Sequence, residues 1–205
     1  MRGMGKVNVG APVRMRSFDP VRLAELEYRA WVGYYQRRWP QVLTASVGLI
    51  RVGFGLGWYR TLYGAWLVLR AIQLWAPDSG NDPVRAEACM RQFYGLVKLA
   101  HGEPASPARA AELEVAWWRV HREGQRSADG GDPAEELVAS LASLYHYVYG
   151  EPEVTLRPAA LERARAMGLT DRWVEEGCQP DSGLLRLVHA TLVRSYTALL
   201  AAVHH

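Results

Sequence analysis

The chain has 205 residues, 49% of them hydrophobic, and a formal net charge of +3. A chain of this length buries a full core without staples, so neither a disordered polymer nor a disulfide-bound miniature fold is expected. So small a charge supplies no general attraction to nucleic acid, and no nucleic-acid partner is expected.

In chain order, residues 1–18 carry Arg2, Lys6, Arg14 and Arg16 with no acid and no periodicity. They read as a mobile basic tail preceding a single domain over 19–205. The domain opens at Asp19-Pro20, and the same grammar recurs at Asp82-Pro83, Ser106-Pro107 and Asp132-Pro133. In each pair a capping oxygen accepts from first-turn amides, and proline follows where no amide hydrogen is needed. Arg157-Pro158 has the proline without the cap.

Apolar periodicity and these start signals predict helices over 20–38, 41–54, 58–75, 83–101, 107–126, 133–149, 158–167, 170–176 and 182–203. No segment alternates as a strand does. The fold class is therefore all-α, a single-domain bundle of about eight or nine helices.

Residues 42–76 are the most apolar, but Arg51, Arg60 and Arg70 interrupt them and Gly53, Gly55 and Gly57 break them. No run reaches the roughly 18–20 apolar residues that span a bilayer, so a transmembrane helix is not expected. The stretch "GFGLGW" follows a helix and lacks the lysine of a phosphate loop, so it reads as a helix break. Cys89 and Cys178 are not spaced as metal ligands. With no apparent signal peptide, a cytoplasmic location is expected.

Polar groups inside apolar stripes carry the functional reading. "DPVRLAELEYRAW" at 19–31 aligns without a gap to "SPARAAELEVAWW" at 106–118. The cap, the proline and the first acid belong to helix starts. The second acids, Glu27 and Glu114, lie past the first turn on or beside core-facing stripes, where a carboxylate must find a partner or change its pKa. His121 shares the flank of Glu114, Arg70 sits in an almost wholly apolar surround, and Trp31, Tyr34, Trp117 and Trp118 lie nearby on the same two helices or beside them.

Two readings follow. In the first, the bundle holds a small hydrophobic or anionic ligand in an aromatic-lined interior pocket. Glu27, Glu114 and His121 are its centre, Arg70 an anion anchor, and Trp31, Tyr34, Trp117 and Trp118 its walls. A metal variant of this reading adds Glu87, His101 and His189 to Glu27, Glu114 and His121, for iron, manganese or zinc. The Glu-x-x-His signature of ferritin-like centres is absent. In the second reading, Trp- and Arg-rich helix faces form a homo-oligomer interface, and Glu27 pairs with an arginine such as Arg38 or Arg70. No nucleophile motif is present, so an enzymatic role is left open.

Overall fold

The computed structural model describes residues 14–77, 79–127 and 135–204. A short 3-10 turn, Arg14–Arg16, precedes eight helices: α1 (Pro20–Tyr35), α2 (Trp39–Phe54), α3 (Trp58–Trp75), α4 (Pro83–His101), α5 (Pro107–Ser127), α6 (Glu135–Tyr149), α7 (Glu153–Glu175) and α8 (Gly183–Val203). No strand occurs among the described residues, and the fold is an all-α, single-domain helical bundle.

The start signals act as their chemistry requires. Asp19 accepts from the amides of Val21 and Arg22 at 3.0 Å, and Asp82 accepts from Arg85 at 2.9 Å. Ser106 accepts from Arg109 at 3.4 Å, a longer and weaker contact. The cap expected at Asp132-Pro133 lies outside the described residues.

Three departures from the expected boundaries matter to the packing. Helix α1 stops at Tyr35 because Arg37 turns left-handed (φ 57°) and the Arg38 amide reaches back to the Gly33 carbonyl. Helix α2 begins two residues early, with Pro40 in its first turn. The third difference is larger: the two helices expected over 158–167 and 170–176 are one, α7, which starts at Glu153 and carries Pro158 inside it. Pro158 lies just past the first turn, so it removes one intrahelical bond and its ring crowds the Val154 carbonyl. Gly168 is exposed with open space around it, so its cost is conformational only. The burial of Leu156, Ala159, Ala160, Ala164 and Met167 along one face outweighs both residues.

The end of the segment expected as a mobile tail is anchored on the bundle through Met15, Arg16 and Phe18. Met15 and Phe18 are buried. Arg16 donates to Glu103 at 2.8 Å, to Glu151 at 2.9 Å and to the Tyr149 carbonyl. His204 at the other end lies 2.8 Å from the Arg16 carbonyl, so the two ends of the described chain meet.

Neighbours in sequence are mostly neighbours in space, with α1 also set against α8. The break predicted at "GFGLGW" is a bend of 120° between α2 and α3, begun by Gly55 at φ 58°. The close approach of α1 and α2 depends on Gly48. A Cβ there would lie 2.8 Å from a Leu26 methyl. No single described helix is long and apolar enough to cross a membrane.

Candidate functional site

A cavity of about 170 Å³ lies among the helices and takes wall residues from all eight. Its apolar walls include Leu23, Ile50, Met90, Phe93, Leu141 and Leu144. Cavities of about 150 Å³ admit a benzene-sized molecule.

Glu27 from α1 and Glu114 from α5 both reach this cavity. The two matched acids, 87 positions apart in the sequence, are therefore brought to one place, although each is satisfied separately. Glu27, 4% exposed, accepts from Arg163 Nη2 at 2.6 Å and from the Tyr196 hydroxyl at 2.7 Å. Arg163 comes from α7 and Tyr196 from α8, so the ion pair binds three helices together. Glu114 accepts from the Tyr94 hydroxyl at 2.7 Å and from the indole nitrogens of Trp117 and Trp118 at 3.1 and 3.2 Å. Arg163 also lies over the Trp117 ring, 5.8 Å from its centroid, so a single guanidinium links the two clusters.

The electrostatics follow from burial in an apolar surround. Burial pushes the Glu114 carboxyl above its ordinary value, while Tyr94, Arg163, Trp117 and Trp118 partly offset that by stabilising the anion. Burial and then the neighbouring Glu114 hold the Tyr94 hydroxyl well above the usual phenol range; burial and Glu27 do the same to Tyr196. Tyr145 and Tyr149, which also line the cavity, are raised chiefly by burial. Burial opposes the charge on Arg163, but Glu27, Tyr145, Tyr196 and Glu114 outweigh it and hold the guanidinium protonated. The tyrosines are therefore neutral hydroxyls, able to donate as well as accept.

One donor of this cluster is unmet. Arg163 Nε is buried and has no hydrogen-bond partner. A buried N–H without an acceptor costs about 1–3 kcal/mol, a cost set against the Glu27 ion pair made by the same guanidinium.

The remaining expected site residues lie elsewhere. The expected metal set does not converge, and no group of three or more His, Cys, Asp or Glu side chains that could hold a metal exists among the described residues. His121 is joined to Asp171 of α7 at 3.0 Å, with Gln125 on the same carboxylate. His101 bonds the Phe54 carbonyl at 2.6 Å and so caps the end of α2. His189 packs edge-on against Tyr28, and its Nε2 lies 3.2 Å from Glu25 but out of line for a hydrogen bond. Glu87 is half-buried on α4, away from the cavity walls. The histidines tie helices together instead of meeting at a centre.

Arg70 is not an anchor within the cavity; it contacts Gln73 one turn along α3. The partner expected for Glu27, Arg38 or Arg70, is instead Arg163. Trp31 is half-buried against the core cluster, and Tyr34 is exposed beside Tyr35 and Trp39; neither lines the cavity. Trp117 does line it, and Trp118, buried, braces Glu114 from behind.

Arg163, Tyr196 and Tyr145 are the residues that sequence reasoning missed. Arg163 had a legible signal. It stands four residues after Ala159, three after Ala160 and four before Met167, in the middle of an apolar stripe where an arginine is out of place.

Comparison with known proteins gives no match of any kind: no family model, no curated protein and no solved structure corresponds to this chain.

Proposed function

We propose that this bundle binds a small, neutral, largely hydrophobic molecule in the cavity between Glu27 and Glu114. The observation that carries the reading is a cavity of about 170 Å³ whose apolar walls are interrupted by Glu27, Glu114, Arg163 and Tyr145. The walls select apolar bulk, and their few polar groups select a neutral partner with one carbonyl or hydroxyl oxygen. Tyr145 adds a hydroxyl beside Arg163. An anion, one of the two ligand classes expected from sequence, suits the site poorly. Two carboxylates face one guanidinium, and the guanidinium is already paired.

The test is a thermal-shift series with probes of one size: benzyl alcohol, benzylamine and benzoate. Benzyl alcohol is expected to raise Tm most and benzoate least, because benzoate brings a third negative charge. Leu144→Trp, which fills the cavity without touching the polar groups, is expected to abolish the shift. Equal response to all three probes, or a shift that survives Leu144→Trp, would remove this reading.

Trp117, half-buried, and Trp118, buried, both donate to Glu114. The exposed tryptophans on α2 and α3 are a separate surface.

A further inference from the structure

Between Glu27 and Asp78 the sequence contains no acid. Every charged residue there is an arginine: Arg29, Arg37, Arg38, Arg51, Arg60 and Arg70. This stretch forms α2 and α3 and supplies the largest exposed apolar side chains of the protein. On α2, Trp39 and Leu43 are exposed, one turn apart. On α3, Trp58, Leu62 and Trp66 follow at four-residue spacing, with Tyr59 and Tyr63 beside them. Tyr59 is 91% exposed.

The two stripes join. Residues 39, 43, 47 and 51 run along one face of α2, and its last member, Arg51, lies over the Trp58 ring at 4.1 Å from the centroid. Trp58 begins the exposed stripe of α3. Together α2 and α3 are apolar enough to pass for a span, yet they bend by 120° and neither alone is both long and apolar enough. Helices with one exposed apolar stripe each suit a bilayer boundary.

The geometry points to a membrane-surface site: we infer that the α2–α3 face docks onto the headgroup region of an anionic lipid bilayer. Tryptophan and tyrosine rings favour that boundary, and arginines without competing acids are attracted to anionic headgroups. A second copy of the chain is the weaker occupant. A two-fold contact would set this face against itself and bring arginine against arginine with no acid on α2 or α3 to offset it.

Vesicle flotation of the full chain tests the inference, using phosphatidylcholine vesicles with and without about one-third phosphatidylserine. The chain is expected to float with the anionic vesicles and to be released by high salt. Arg51→Gln with Arg60→Gln is expected to weaken binding about fivefold for each arginine removed. Trp58→Ser with Tyr59→Ser and Trp66→Ser is expected to abolish it. The arginine variant removes no apolar residue, so it stays informative should the aromatic variant unfold. Failure of the native chain to float overturns the inference, as does unchanged binding by the arginine variant. A concentration-dependent dimer in light scattering that both variants return to monomer would also overturn it and assign the face to a second copy.

Discussion

The cavity wall and the α2–α3 face use the same residue types to opposite effect. Inside, Arg163, Trp117 and Trp118 each contact a carboxylate, and Tyr94 and Tyr196 donate to the same two acids. Outside, Arg51 stacks on Trp58 in a region with no acid in the sequence at all. The difference is one of solvent. A buried arginine must have a counter-charge, because desolvation without one costs several kcal/mol. An exposed arginine keeps its hydration and is free to meet an external anion. Residue type alone therefore does not distinguish a core anchor from a docking surface; the placement of the acids does.

The comparison is broken most severely at the interior ion pair. Arg163→Met is expected to destabilise the fold by about 3–5 kcal/mol in denaturant unfolding, since Glu27 is left charged and buried. Adding Glu27→Leu and Tyr196→Phe is expected to recover most of that loss, because an apolar replacement of the whole cluster needs no counter-charge. If the triple variant is as unstable as the single one, the pair does more than neutralise itself.

A smaller effect is expected at the second acid. Glu114→Ala removes the acceptor of three donors and should cost about 2–3 kcal/mol, with water entering the cavity as partial replacement. Its pH dependence has a definite sign. The carboxyl is raised above 4.5 in the folded chain and returns to about that value on unfolding, so the folded state binds the proton more tightly. The contribution is complete below the unfolded value and is lost as pH rises through the folded one. Native protein should therefore gain stability over Glu114→Gln as pH falls from neutrality through that window. A constant difference across this range would show that the carboxyl is not raised.

The smallest effect belongs to the outer face. Tyr59→Ser with Leu62→Ser should change stability by no more than about 0.5 kcal/mol per site, because both side chains are exposed in the fold. A large loss in thermal unfolding would mean that this face is covered in solution, and would tie it to a partner even in the absence of lipid.

Much of the fold was legible in the sequence because its signals are local. Capping pairs, prolines and apolar periodicity act within a few residues, so the helix starts at Pro20, Trp58, Pro83 and Pro107 follow from neighbouring chemistry. Local signals also misled. Pro158 reads as a start by itself, but packing of the alanine-rich face of α7 carries the helix through it and through Gly168.

What the sequence by itself determined was an all-α bundle and two carboxylates, Glu27 and Glu114, set on core-facing helix surfaces. Periodicity places a side chain on a face without regard to what stands opposite. Only the tertiary structure decided that these acids share one cavity, that Arg163 and Tyr196 answer Glu27, and that His101, His121 and His189 go to separate helix contacts. The partners of Glu27 lie 136 and 169 positions away in the chain. Which residues meet across such separations is set by how whole helices pack, and no local rule of spacing encodes it.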